Sequence, residues 1–292
     1  MASETFTVGD LTAVVGDNAA DGPHRAGYNG LWSLAHKTEP RSLFVPAVAG
    51  LNLEHIFDGE TLDPPGQTRI FFEPRNARMT LRKVSDTEAE LHQPPTPTFH
   101  LESWSTFTFR QPDVIDFRFR CKPTQHVFKR GYIGLFWASY INAPDDKSMY
   151  LRGSANDWLQ HCTPAHDAMS TVVHAQNTID LTFVEGHRNC LYRSLSPLKF
   201  GLPLFYGLFG KHIFVVMFDR SEPIRLSHSP SGGGLNRDAE TTNPAWDFQF
   251  IVPKYDVMKE YGFRARVIYR ERCSRAEVLK EYDTWRKGLD EK

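Results

Sequence analysis

The chain has 292 residues, 40% hydrophobic and 24% charged, and its 34 basic residues offset 35 acidic ones to a formal net charge of -1. That composition supports a large core and excludes a disordered chain. The near-neutral balance argues against wholesale nucleic-acid binding, which needs a basic face for phosphates.

No apolar run approaches the ~20 residues of a membrane helix. The start, Met1-Ala2-Ser3-Glu4, has neither the basic nor the apolar region of a signal peptide. A cytoplasmic protein is therefore expected, with no membrane partner. Its four separated cysteines, Cys121, Cys162, Cys190 and Cys273, are expected to be reduced.

Aromatic residues reach 13%, and 21 Phe with 19 Pro and 20 Gly favour sheet over helix. In chain order, strands are predicted over 6–15, 31–35, 68–73, 79–84 and 87–92. A long hairpin follows, 98–110 paired with 114–122 across the turn signal Gln111-Pro112-Asp113. In its second arm Ile115, Phe117, Phe119 and Cys121 alternate with Asp116, Arg118, Arg120 and Lys122, the pattern of a half-buried strand. Residues 131–141 read as a strand buried on both faces. A short helix is expected within 155–170, then strands over 171–174, 178–184, 212–218 and 223–228.

A glycine-rich loop over 229–236 precedes a strand in which Trp246, Phe248 and Phe250 alternate with Asp247 and Gln249. A short helix over 255–261 and a strand over 263–270 come next. Ser274 and Glu277 then form a capping box ahead of a helix whose stripe is Val278, Tyr282, Trp285 and Leu289. With no repeat and no linker, the expectation is one all-β antiparallel domain over residues 1–292.

Gly232-Gly233-Gly234 lacks the Lys-Ser/Thr of a phosphate loop and reads as a loop beside a site. No Gly-x-Ser-x-Gly elbow occurs. His161 and His166 are not spaced as a zinc pair on one helix face, although His174 and His187 lie near them in sequence.

Four stretches combine His, Arg, Glu, Trp or Tyr with apolar residues at strand ends. They are 27–34 with 43–46 and 50–55; Phe71-Phe72-Glu73-Pro74-Arg75-Asn76-Ala77-Arg78; the hairpin carrying Glu102 and Trp104; and Gly134-Leu135-Phe136-Trp137-Ala138-Ser139-Tyr140-Ile141-Asn142. Aromatic faces suit the C–H side of a pyranose, and charged groups suit its hydroxyls.

The order of these pieces resembles the galactose mutarotase-like (aldose 1-epimerase) superfamily. Asn29 to Leu34 with Leu43-Phe44-Val45-Pro46 is similar to its early site-facing passage, and Arg75-Asn76-Ala77-Arg78 to its Arg/Asn/Arg stretch. Residues 107–119 resemble its central hairpin, and Tyr140-Ile141-Asn142 the end of its His-x-Tyr-Phe-Asn motif. The resemblance implies a large antiparallel β-supersandwich and acid–base chemistry on a sugar. It also exposes a departure: the family's acid histidine is replaced by Ala138. For the family's late carboxylate base, Asp247 is the leading candidate, with Glu222 and Asp219 as others.

The expected function is that of a carbohydrate-active enzyme on a sugar or small glycoside, epimerase-like. A lyase that takes a proton alpha to a carbonyl, and a non-catalytic sugar binder, are the alternatives. The candidate catalytic residues are His55, Tyr140, Asp247 and Glu73, with Glu54 or Glu73 orienting His55. Arg75, Arg78, Trp137, Trp104, Asn142, His126 and His228 are the candidate substrate contacts. No cofactor is expected, and a divalent metal held by His55, Glu73 and His126 or His228 is the alternative.

Overall fold

A computed structural model describes residues 2–62, 69–187, 191–235 and 242–290. A small antiparallel sheet is formed by β1 (Ser3–Val8), β2 (Leu11–Gly16) and β3 (Gly30–His36). Then come β4 (Asn52–Phe57), a 3-10 turn (Ile70–Phe72) running into the one-turn helix α1 (Glu73–Asn76), β5 (Thr80–Ser85) and β6 (Glu88–Gln93). They are followed by β7 (Leu101–Arg110), β8 (Val114–Pro123), β9 (Ile133–Ala138), β10 (Met149–Gly153), β11 (Trp158–His161) and β12 (Thr171–His174). The chain closes with β13 (Leu195–Phe209), β14 (His212–Phe218), β15 (Ile224–Ser229), β16 (Ala245–Val252), β17 (Tyr261–Glu271) and α2 (Arg275–Asp290).

Among the described residues fourteen strands form one large sheet, ordered β4-β9-β16-β15-β12-β13-β14-β17-β8-β7-β6-β5, with β10 and β11 added beside β13. Strands far apart in that order touch through their side chains. Trp137 of β9 meets Phe119 of β8 edge-on at 4.7 Å and Phe263 of β17 at 5.3 Å, and Phe248 of β16 lies 5.7 Å from Phe263. The sheet therefore folds back on itself, and these rings fill the space between its halves. This is the expected all-β sandwich, with one exception to antiparallel pairing: β12 runs parallel to β13.

Period-two patterning places the core. In β8, Ile115, Phe117, Phe119 and Cys121 are buried while Arg118 is exposed, and β7 pairs with β8 antiparallel from Leu101↔Pro123 to Arg110↔Val114. In α2 the capping box forms as expected. Ser274 N donates to Glu277 Oε2 at 2.8 Å and Glu277 N donates to Ser274 Oγ at 3.2 Å. Val278, Tyr282 and Trp285 bury against Leu204, Tyr206, Val215 and Met217 of β13 and β14.

Several elements differ from expectation. Residues 6–15 form two strands joined at Gly9-Asp10, where Gly9 has φ +60°. The strand expected over 68–73 is instead the 3-10 turn and α1, with Pro74 in the first turn where its fixed φ suits a helix start; residue 68 lies outside the described residues. Residues 178–184 form no strand. They cross the sheet as a strap held by single bonds, Val184 N to Gly59 O at 2.8 Å and Tyr132 Oη to Thr182 O at 2.9 Å. The helices expected over 155–170 and 255–261 are absent. The first range holds β11, and Asp167 and Met169 have positive φ; in the second, Met258 has φ +65°. Cys121, Cys162 and Cys273 are free thiols, and Cys190 lies outside the described residues. No helix among the described residues is long and apolar enough to cross a membrane.

Candidate active site

A cavity of about 270 Å³ opens on the sheet face opposite the aromatic core, and its wall includes Tyr28, Glu54, His55, Arg75, Tyr140 and Asp247. A β-bulge supplies two of these residues. The register of β4 against β9 slips between Leu53, opposite Trp137, and His55, opposite Phe136. Glu54 is the extra residue. Leu53 stays with Trp137 in the core, while Glu54 and His55, adjacent in sequence, both line the cavity. On β16, strict alternation sends Trp246, Phe248 and Phe250 into the core and Asp247 to the cavity. Tyr140 follows β9 and pairs with Ala245 through an isolated bridge.

Glu54 is the hub. Its Oε1 accepts from Tyr140 Oη at 2.5 Å and from Arg75 Nη1 at 3.1 Å, and its Oε2 lies 3.5 Å from His55 Nε2. The Arg75 guanidinium also lies over the rings of Tyr28 at 4.1 Å and Phe72 at 4.8 Å. The His55 ring stacks on Phe136 at 4.8 Å and meets Phe71 edge-on at 4.7 Å. Asp247 is 1% exposed, and its Oδ1 accepts from Ser139 N at 3.0 Å. The loop bearing the glycines closes one side. A Cβ on Gly232 would sit 2.7 Å from Ala245 Cβ and 3.1 Å from the Tyr140 ring, so only glycine packs there without displacement.

Burial raises both carboxyls, and the Glu54 charge raises Asp247 further. At Asp247 burial dominates, the Glu54 charge adds to it, and a single amide opposes, so the group stands well above the usual carboxylate range. At Glu54 burial also raises, but Arg75 and Tyr140 pull the other way. Asp247, which has no cation beside it among the described residues, is therefore the more readily protonated of the two. Burial, followed by the Glu54 carboxylate, pushes the Tyr140 phenol well above its ordinary value.

Of the candidates named from sequence, His55, Tyr140, Asp247 and Arg75 meet in this cavity, together with Glu54. The others sit elsewhere. Glu73 accepts from Thr98 N at 2.6 Å and Phe99 N at 3.0 Å, anchoring the loop before β7. Glu73→Ala is expected to cost about 1–3 kcal/mol of stability by stranding those amides. Thermal denaturation checks this, and activity per folded molecule should be unchanged. Trp137 is fully buried in the aromatic core. His228 is also fully buried, on the core parity of β15, bonding Lys147 O at 2.8 Å. Trp104 lies on the outer face of β7 beneath Arg120, 4.9 Å away. Arg78 and His126 are exposed, and Asn142 donates to Ser42 O at 3.2 Å.

Among the described residues no three His, Cys, Asp or Glu side chains are grouped to hold a metal ion, and the proposed His55–Glu73–His228 set is dispersed. Sequence reasoning singled out the stretches that hold Tyr28 and Phe72 without naming either as a contact, and it left His166 and Ser229 out of the site. The wall reaches His166 through Ser229, whose Oγ lies 2.8 Å from His166 Nδ1, and no local pattern signals that contact.

The architecture is a galactose mutarotase-like β-sandwich. It is similar to the crystal structure of a provisionally named aldose 1-epimerase from Escherichia coli K12, with TM-score 0.50, 9% identity, and coverage of 92% of this chain and 99% of that one. A galactose mutarotase-like protein from Lactobacillus casei gives TM-score 0.49 and 9% identity over 92% of this chain and 100% of that one. Heparan sulfate lyase HepC from Pedobacter heparinus gives 0.44 and 12% over 90% of this chain and 34% of that one. The fold assignment rests on the first of these. No protein-family model and no curated protein matches the sequence.

Proposed function

We propose that this chain is a carbohydrate-active enzyme that moves protons on a single sugar ring, in the manner of an aldose 1-epimerase. One observation carries the reading: two buried carboxyl groups, Glu54 and Asp247, share a cavity with a phenol, a guanidinium and aromatic walls. Its volume of about 270 Å³ sits at the small end of ligand sites, suiting one ring rather than a polymer. The fold shared with the Escherichia coli protein adds support at the level of architecture.

In this reading Glu54, kept anionic by Arg75, takes the proton of the anomeric hydroxyl. Asp247, the protonated partner, gives its proton to the ring oxygen as the bond from that oxygen to the anomeric carbon breaks. The open-chain aldehyde rotates about its C1–C2 bond, and the reverse transfers close the ring as the other anomer. Electrostatics thus give Asp247 the acid role, opposite to the base role that the family resemblance implies. His55, 3.5 Å from Glu54 Oε2, is a positioning residue. Loss of the family's histidine at Ala138, which lines the cavity, is offset by the buried acid. Tyr140, a phenol raised by burial and a neighbouring carboxylate, is a poor base for the lyase alternative.

NMR exchange spectroscopy on a panel of aldoses tests the proposal. Wild-type protein should accelerate anomer exchange, and Glu54→Gln should slow it by about a hundredfold or more. No acceleration across the panel ends the reading; binding without acceleration would make the chain a sugar-binding module.

A further inference from the structure

A second hollow, of about 340 Å³, lies further along the same sheet face beneath the 178–184 strap, lined by Arg225, Arg193, Asp180, Phe183 and Tyr192 among others. Arg225 projects from β15 on the parity of Ser227 and Ser229, and is 2% exposed. Its Nη2 donates to Ile179 O at 2.9 Å. Its Nε is buried and has no hydrogen-bond partner among the described residues. Arg225 forms no salt bridge among the described residues. The side-chain oxygen of its cross-strand neighbour Gln249 is likewise without a partner and does not accept from it.

A buried guanidinium without a counter-ion is costly, and the cost falls when an anion enters beside it. Burial pulls this guanidinium down to about 10, and Tyr132 and the Asp180 carboxylate oppose that only in part. Two other charges line the hollow. Arg193 is exposed and lies over the Phe183 ring at 4.9 Å, and the Asp180 carboxylate is exposed at the rim.

We propose that this hollow binds an oxyanion (a carboxylate, sulfate or phosphate) carried on a sugar unit joined to the one in the reactive cavity. Ser229 lines that cavity, and Arg225 stands four residues along the same strand, about 13 Å away. The Tyr192 ring lies 6.1 Å from the His55 ring and lines the second hollow, so it stands between the two sites. The anion therefore belongs to the adjoining unit rather than to the reacting ring. The assignment of a sugar rests on the proposed function; the oxyanion site does not.

The test is thermal denaturation of the full chain titrated with sodium sulfate and sodium glucuronate at ionic strength held constant with NaCl. A saturable rise in Tm is expected for wild type and for Asp247→Asn. Arg225→Met should weaken the apparent affinity at least tenfold, and Arg225→Lys, which keeps the charge but loses the planar fork, by a smaller factor. A wild type that does not respond, or variants that respond as wild type does, overturn the site. If Arg225→Met fails to fold, the Lys variant decides alone. An acidic disaccharide should bind at least tenfold tighter than its neutral counterpart; a response to free sulfate only overturns the substrate assignment. Because the readout is binding, failure of the anomer-exchange assay leaves it interpretable.

Discussion

Replacing Asp247 by Asn is expected to lower kcat by about two to four orders of magnitude, the range lost when a positioned proton donor is removed. Asn is isosteric and keeps an oxygen for the Ser139 amide, which Asp247 Oδ1 accepts at 3.0 Å, so the fold should survive. The pH dependence separates a donor from a packing residue. In wild type, kcat/KM should fall at low pH as the pair gains its second proton and at high pH as it loses its first. The alkaline fall should disappear in Asp247→Asn.

Stability carries a second signature of the same group. Burial raises the native Asp247 carboxyl, so the native state holds a proton that the unfolded chain has already released. Its stabilising contribution is full below the unfolded carboxylate value and is lost as pH rises through the native one. Asp247→Asn should remove that component from a plot of Tm against pH. Turnover and a pH profile unchanged in the variant would remove Asp247 from the mechanism.

Trp137→Ala is expected to cost about 3–5 kcal/mol, with a fall in Tm on the order of 10 °C, and to leave the candidate site intact per folded molecule. The ring is fully buried between Phe248, stacked at 5.0 Å, and Phe119 and Phe263. Its Nε1 has no hydrogen-bond partner among the described residues. Trp137→Phe should therefore cost much less than loss of packing alone suggests, because it removes a stranded donor along with some contact area. Chemical denaturation of both variants checks the pair. Equal losses would mean that the indole N–H is satisfied in solution.

Sheet elements that keep one phase were readable from the sequence: the β7–β8 hairpin, β14, β15, β16, β17 and the capped α2 all fell where alternation or capping placed them. Phase changes were harder. Phe6 and Val8 share one parity and Leu11, Ala13 and Val15 the other, and the switch at Gly9-Asp10 is the mark of a two-residue turn that a single strand over 6–15 overlooks. In β13, Pro197 and Pro203 speak against a long strand. The strand survives because it changes partners, pairing with β12 up to Phe200 and with β14 from Leu204, with the β12 register slipping around Pro197. At the site, Asp247 and Tyr140 were accessible as polar residues on an otherwise apolar pattern. Trp104, Trp137 and His228 are the same residue types serving the outer face and the core, and residue type alone does not separate those uses. That Glu54 and His55 face one way is invisible in any two-residue period.

The bulge in β4 makes this strand sensitive to length more than to residue identity. Deleting Glu54 or His55 would restore regular alternation, keep Ile56 and Phe57 on their present faces, and remove one of the two adjacent polar groups from the cavity wall. Deleting Ile56 instead would place the His55 imidazole in the layer that Ile56 now fills, on the same side as Leu53. Homologous chains sharing this chemistry should therefore vary in the identity of Ile56 and Phe57 far more readily than in the number of residues separating Asn52 from Asp58.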